Sequence, residues 1–304
     1  MKATKSAPNP LTYAYVMKSF VGYLQGTEKA LHTVNSYRSD LLSFQRYLEH
    51  RFRGRPIVLE KVGQKDLEAY NAFLKVQGLK VNTRRRKVLT VRRLFRYLNR
   101  RGKLEVDPAL KVPAPGKLEK VPFTVAVMPL ADQVARLPVA TELDERNRLV
   151  LTLLLETGCL VSELGQLTTE QGVGSAPNRL SFGGKSPREV PLSPRAHADL
   201  QAFARKRGLV GKWLFSGHTR HGPLSGPMSP RGVELLVKAM ARRLGFAKLT
   251  PRIIRHSVVC HWQQQGVDLD EIQRRLGLKT RYAFRTYEVL FAANAALKPS
   301  SKTT

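Results

Sequence analysis

The sequence is poor in cysteine and in acidic residues, and both shortages exclude classes of protein. Only Cys159 and Cys260 occur in 304 residues, each inside an apolar stretch that predicts a helix. Two such residues cannot build a disulfide framework, so we expect buried thiols in a reducing compartment. The sequence contains 52 Lys and Arg but only 23 Asp and Glu, so its formal charge is +29. That charge indicates a polyanionic partner, most simply nucleic acid.

Long apolar runs and metal ligands are scarce as well. The longest apolar run, residues 149–155, is too short to cross a bilayer and predicts a core helix. The polar residues 1–10 contain no secretory signal, so we expect a cytoplasmic protein with no membrane partner. His218 and His221 lack a third ligand nearby, whereas a structural metal site needs four. We therefore expect no metal and no other cofactor.

A proline-rich stretch divides the chain into two basic parts. Residues 107–122 contain four prolines and no apolar periodicity, which indicates a linker. Before it, apolar residues recur at spacings of three and four, which predicts a bundle of four helices. The predicted organisation is a disordered start at 1–10, a helical domain at 11–106, the linker at 107–122, a second domain at 123–298 and a tail at 299–304.

The last helix before the linker has one apolar face and one strongly basic face. Asn82 can cap its start. No acidic residue occurs between Arg84 and Lys103, so the basic side chains repel one another without compensation along the helix. Charged helix faces are usually solvated surface, but this repulsion favours phosphate as a partner. The residues that we expect to bind DNA are Arg84, Arg85, Arg86, Lys87, Arg92, Arg93 and Arg96.

The second domain is predicted to be mainly helical with one small β-element. Residues 179–192 alternate between apolar and polar side chains on both sides of a glycine-rich turn, which predicts a hairpin with Lys185 at its tip. Residues 216–230 are rich in Gly, Ser, Pro and His, and we expect a mobile loop there. The fold class is therefore mainly α, with a mixed α/β second domain.

The stretch from Thr250 to Tyr287 contains the residue types of phosphate chemistry. Thr250 can cap a helix on which Arg252, Arg255 and His256 lie three and four residues apart and converge on one side. Arginine offers a charged fork for phosphate oxygens. A tyrosine hydroxyl can form a covalent ester, although an aromatic residue in a C-terminal helix is more often part of the packing.

These segments together resemble the tyrosine recombinases, or phage integrase family, over nearly the whole chain. The resemblance rests on Thr157-Gly-Cys-Leu-Val-Ser-Glu-Leu, Arg255-His-Ser, Leu276-Gly and Thr286-Tyr-Glu-Val, which occur in the family's order and spacing. It implies a SAM-like core-binding domain followed by a catalytic domain. It also implies double-stranded DNA with a specific recombination-type site as partner, and assembly on that DNA with itself or a related recombinase.

The resemblance also implies roles for single residues. Tyr287 matches the nucleophile that forms a 3′-phosphotyrosyl link to DNA, and Arg255 matches one of the two arginines that bind the scissile phosphate. Arg252 occupies a position that is usually His or Lys. Lys185 lies two residues beyond the position of the hairpin lysine that protonates the leaving oxygen. His256, next to Arg255, is expected to contact DNA.

Two departures from the family pattern leave two functions open. Leu160 occupies the position of the other arginine, and Leu278 that of the second histidine. Losing one charged donor from such a site costs about 10²–10³ in rate. One interpretation is a catalytically impaired protein that binds a recombination site and assists recombination, integration or transposition. The alternative is an active recombinase that uses Tyr287 in a non-standard active site.

Overall fold

Two hydrophobic cores divide the chain into two units. The computed structural model describes residues 11–27, 30–117, 123–174, 176–184, 186–207, 212–219 and 222–296. The units are Met1–Lys120 and Val121–Thr304, and each contains its own cluster of buried apolar side chains. Within the described ranges, no helix combines the length and the apolar character that a membrane span needs.

The described part of the first unit is a helical bundle, as the sequence predicts. Its α-helices are α1 (Tyr13–Gln25), α2 (Leu31–Arg51), α3 (Gln64–Val76) and α4 (Val81–Arg100). Leu41, Phe44 and Leu48 on α2 pack with Phe95 and Leu98 on α4 in one buried cluster. Because apolar residues recur every three or four positions, each helix turns one stripe of side chains toward this core.

The first unit extends further along the chain than the predicted domain boundary. Ala109 and Val112 are buried in the same core as α1 to α4. Two residues of the predicted 107–122 linker therefore pack with the helical bundle. Composition suggested a linker because proline and lysine dominate the stretch, but two small apolar residues are enough to anchor it.

Asp40 on α2 is a buried anion against the basic helix α4. Its side chain is 1% exposed, and its Oδ2 accepts hydrogen bonds from Arg86 Nη1 at 2.5 Å and Thr90 Oγ1 at 3.1 Å. Lys87 Nζ lies 3.3 Å from Oδ1. Lys87 is consequently buried, and its predicted place on the exposed face is wrong. Helix α4 itself contains no acidic residue, as predicted, and the acid that compensates Arg86 and Lys87 comes from another helix.

The second unit is mixed, with short hairpins beside its helices. Its helices are α5 (Val127–Ala135), α6 (Glu142–Thr157), α7 (Val161–Gly165), α8 (Thr169–Val173), α9 (Pro194–Arg207), α10 (Pro230–Arg243), α11 (Pro251–Gln264), α12 (Leu269–Arg275) and α13 (Arg281–Ala296). Strands β1 (Arg179–Phe182) and β2 (Arg188–Pro191) pair antiparallel, with Phe182 opposite Arg188. The predicted hairpin is thus confirmed, while Lys185 at its tip lies outside the described residues.

The expected loop at 216–230 is a second hairpin. Strands β3 (Ser216–Thr219) and β4 (Gly222–Pro227) pair antiparallel, and an irregularity interrupts their register between Ser216 and His218. Arg146 Nη1 donates to the Ser216 carbonyl oxygen at 3.1 Å, which ties the hairpin to α6. Composition is a poor guide here because glycine and proline are also found at irregular, edge-type strand positions.

The end of α6 packs closely against α11. Gly158 follows α6 with a φ of 55°, the left-handed conformation that glycine adopts most readily. A Cβ atom at Gly158 would lie 3.3 Å from Val258 Cγ1 on α11. Cys159 and Cys260 are buried in the surrounding core, as predicted. The absent side chain therefore lets the chain leave α6 beside α11, where the candidate site lies.

Replacing Asp40 with Asn should destabilise the first unit strongly. The change leaves Lys87 buried without its anion and removes the charge that Arg86 contacts. Removal of one partner from a buried ion pair costs about 3 kcal/mol. Denaturant unfolding would measure this loss. Glu68→Gln, which changes an exposed acid on α3, is the control and should cost less than about 0.5 kcal/mol; equal effects of the two changes would contradict the role of Asp40.

Candidate active site

Helix α11 begins as its sequence predicts. Thr250 Oγ1 accepts a hydrogen bond from the Ile253 backbone N–H at 3.2 Å, and Pro251 is the first helical residue. The following turn places Arg255 and His256 in the buried part of the unit, while Arg252 stays exposed. The predicted convergence of these three residues is present, but only one of the arginines faces solvent.

Arg255 joins three separate segments of the second unit. Its Nε donates to Tyr287 Oη on α13 at 3.1 Å, its Nη1 donates to the Gly158 carbonyl oxygen at 2.5 Å, and its Nη2 donates to the Leu276 carbonyl oxygen at 3.0 Å. Arginine and tyrosine, which stand 32 residues apart in sequence, are thus in direct contact. Because the guanidinium has five N–H groups, one on each terminal nitrogen is left for a ligand.

His256 contacts both Arg252 and Tyr287. Its Nε2 accepts a hydrogen bond from Arg252 Nε at 3.1 Å, and its ring centroid lies 5.4 Å from that of Tyr287. Burial and the charges of Arg252 and Arg255 lower the pKa of His256 to about 4. The ring is therefore neutral at pH 7. Since Nε2 is the acceptor, the proton sits on Nδ1, which is buried and has no hydrogen-bond partner among the described residues.

A cavity of about 840 Å³ opens over these side chains. Leu160 and Leu278 line it together with Arg252, Arg255 and Tyr287. Leu160 is 46% exposed although it is apolar. Leu160 and Leu278, at the positions where the resemblance implies an arginine and a histidine, thus line the same cavity as Tyr287. Neither leucine side chain can bind a phosphate oxygen.

An ion pair that the sequence analysis missed supports one wall of the site. Arg188 at the start of β2 forms a bidentate pair with Glu163 on α7, with N–O distances of 2.6 and 2.8 Å. Glu163 Oε2 also accepts from the Leu160 N–H at 2.8 Å, and Arg188 Nε donates to the Arg275 carbonyl oxygen at 2.7 Å. The only sequence signal was an arginine at an inward-facing strand position. This pair holds the Leu160 segment, the hairpin and the end of α12 together.

Most of the predicted DNA-binding residues line one groove of the first unit. A cavity of about 750 Å³ between α2 and α4 is lined by Arg85, Arg86, Arg92, Arg93 and Arg96. Arg85 Nη1 also donates to the Pro115 carbonyl oxygen at 2.7 Å, and Arg93 donates to Tyr37 Oη.

Arg84 and Lys87 are absent from the lining of this groove. Arg84 Nη1 lies 3.4 Å from Asn71 Oδ1 on α3, and Lys87 pairs with Asp40. Five of the seven predicted residues on α4 therefore share one concave, cationic surface.

Metal binding finds no support in the described part of the chain. No group of three His, Cys, Asp or Glu residues converges there on a point that could hold an ion. His218 lies on β3, and His221 falls outside the described residues.

Comparison with known protein families identifies both units. Residues 17–102 match the phage integrase N-terminal SAM-like domain, and residues 130–291 match the phage integrase family. The second match alone covers more than half of the chain and includes every residue of the cavity over Tyr287. The chain belongs to the phage integrase family. Its likeness to the tyrosine recombinases, and with it the predicted fold class, is confirmed.

The relatives of this phage integrase family protein include tyrosine recombinases over most of its length. Tyrosine recombinase XerC of Xylella fastidiosa (strain 9a5c) is 30% identical over 250 residues, which cover 81% of this chain and 82% of the relative. Tyrosine recombinase XerC of Herpetosiphon aurantiacus is 29% identical over 273 residues, with 86% of each chain covered.

Solved structures of recombinases share the fold of this family member at low sequence identity. XerH site-specific recombinase in a post-cleavage complex with its palindromic difH substrate has a TM-score of 0.72 at 18% identity, covering 92% of this chain and 82% of that one. A lambda integrase dimer bound to a COC′ core site has a TM-score of 0.70 at 14% identity, covering 99% and 85%.

Protonation of His256 should destabilise this phage integrase family protein in acid. Because the native pKa of about 4 lies below the unfolded value of about 6.5, the unfolded chain binds more protons between these limits. The contribution of neutral His256 to the free energy of unfolding is fully present above pH 6.5. It is lost as the pH drops toward 4, by up to about 3 kcal/mol. Urea unfolding at several pH values should show a smaller fall for His256→Gln. The exposed His50→Gln variant is the control, and identical profiles for all three proteins would contradict the assignment.

Proposed function

We propose that this phage integrase family protein binds a specific double-stranded DNA site of the recombination type in the cytoplasm and has an impaired cleavage activity. It would mark or occupy the site, or assist an active relative, in recombination, integration or transposition. One observation carries the proposal. Tyr287 and Arg255 are in contact at 3.1 Å, but the cavity around them has Leu160 and Leu278 where the family pattern has charged or polar groups.

DNA binding is supported by the cationic groove of the first unit. Arg85, Arg92 and Arg96 line it without any ion pair to a described carboxylate. Asp40 at its floor compensates Arg86 and Lys87 but not these three. Guanidinium groups left uncompensated in a concave surface favour binding of a backbone of phosphates.

The shortage of positive charge around Tyr287 supports impaired cleavage. A phosphoryl transition state carries negative charge on its nonbridging oxygens, and fixed donors that stabilise it provide much of the catalysis. Arg255 is a good donor because three hydrogen bonds hold it in place. Arg252 keeps its charge and therefore cannot shuttle protons, and Leu160 contributes no donor. Because the residues of one catalytic site act together, their contributions to the rate are not additive. Retaining Arg255 and Tyr287 alone therefore does not retain a matching fraction of the cleavage rate.

The contact between Arg255 Nε and Tyr287 Oη favours the alternative of an active recombinase. This hydrogen bond places a cation directly beside the oxygen that would attack phosphate. In that case Tyr287 would form a 3′-phosphotyrosyl intermediate in a non-standard active site. Lys185 would act as the acid that protonates the leaving oxygen.

Assembly on DNA belongs to the same proposal. Lambda integrase, a structural neighbour, forms a dimer on a core site and a tetramer on a Holliday junction. We propose that this protein likewise occupies its DNA with a second copy or with a related recombinase.

A covalent-trapping assay tests cleavage directly. The DNA is a nicked half-site from a duplex that the protein selects out of random-sequence DNA. Under the proposal, both wild type and Tyr287→Phe bind this DNA. Neither protein forms more than a trace of adduct that survives denaturing electrophoresis. An abundant adduct with wild type that disappears in Tyr287→Phe would establish the active recombinase instead.

The salt dependence of DNA affinity tests the groove. Replacing Arg85, Arg92 and Arg96 together with Ala should weaken binding and flatten the plot of log affinity against log salt concentration, by about one unit for each phosphate that the variant no longer binds. The control variant replaces Arg55, Lys61 and Lys65 of the same unit, which are exposed and do not line the groove. A slope that changes equally in both variants would reject the groove as the DNA-binding surface.

A further inference from the structure

The cavity over Tyr287 has a second cationic wall that the family pattern does not explain. Lys238 on α10 and Lys248, in the segment between α10 and α11, line it together with Arg252, Arg255 and Leu160. Both lysines are exposed. The cavity therefore receives positive charge from the side of α10 as well as from α11.

These two lysines have no carboxylate to neutralise them in the described structure. The one acidic residue that lines the cavity is Glu234, and its Oε2 already accepts from Arg231 Nη1 at 2.9 Å. Across the described ranges, neither Lys238 nor Lys248 forms an ion pair with a carboxylate, Glu234 included. Arg231 also lines the cavity but is paired with Glu234, so two lysines and two arginines remain there without a carboxylate. This excess of positive charge favours an anionic ligand.

We infer that Lys238 and Lys248 bind the DNA phosphate in this cavity from the side where Leu160 offers no charge. The phosphate is then held between these lysines and the pair Arg252 and Arg255. This inference rests on the proposed DNA-binding function, and it states which residues take the part of the missing arginine in binding.

The chemistry of lysine suits this position. An ammonium group on a flexible four-carbon stem can reach a phosphate from an exposed backbone position, and it acts as a point charge. It lacks the planar fork with which a guanidinium fixes two oxygens at once. Lysines at the cavity would thus maintain affinity for the phosphate while orienting it less strictly, which agrees with a site that binds DNA and cleaves it poorly.

A suppressor experiment tests the inference. DNA affinity is measured at several salt concentrations on a duplex that the wild-type protein selects from random-sequence DNA. The Lys238→Ala/Lys248→Ala variant should lose about ten-fold in affinity and about one unit of salt slope. A matched control, Arg195→Ala/Arg205→Ala, removes the same charge from α9, where neither residue lines the cavity.

Leu160→Arg then decides whether the lysines stand in for the missing arginine. Added to the lysine variant, it should restore most of the lost affinity, whereas added to wild type it should change affinity by less than about three-fold. Equal gains in both backgrounds, or a lysine variant that behaves like the α9 control, would overturn the inference. Failure of the wild type to select any duplex would instead overturn the proposed function.

Discussion

The second unit depends on the three hydrogen bonds of one buried arginine. Arg255 links the end of α6 at Gly158, the end of α12 at Leu276 and the hydroxyl of Tyr287 on α13. A buried guanidinium is tolerated only when its charge and its N–H groups are satisfied. Two backbone carbonyls and a phenol oxygen satisfy three of its five N–H groups. The same residue that would meet phosphate therefore also organises the walls around the cavity.

A buried charge has a comparable part in the first unit. Asp40 is almost fully inaccessible and holds Arg86, Lys87 and Thr90 of α4. It reduces the repulsion among neighbouring cations of α4, which would otherwise oppose the helix. Lys87 is buried through this contact, whereas Arg86 and Thr90 contact Asp40 and also line the groove. In each unit, one buried charged side chain joins separate segments of the chain.

Fold and chemistry are separable in this protein. The packing of α6 and α11, the Arg188–Glu163 pair and the Arg255–Tyr287 contact are all present around a cavity that contains Leu160 and Leu278. None of these contacts needs a charge at position 160, because Glu163 binds the backbone N–H of Leu160 and not its side chain. A leucine there changes what the cavity can bind without disturbing its frame.

The sequence by itself determined most of the helices, the β1–β2 hairpin, the family and the spacing of Tyr287 from Arg255. The helices and the hairpin follow from local periodicity and capping, which are properties of neighbouring residues, and the family follows from the order and spacing of its motifs. Only the tertiary structure decided that Asp40 neutralises α4, that Arg188 pairs with Glu163, that residues 216–227 form a hairpin and that Lys238 and Lys248 share the cavity of Tyr287. The physical reason is that each of these contacts joins segments distant in sequence, and an ion pair or a shared cavity leaves no periodic mark along the chain.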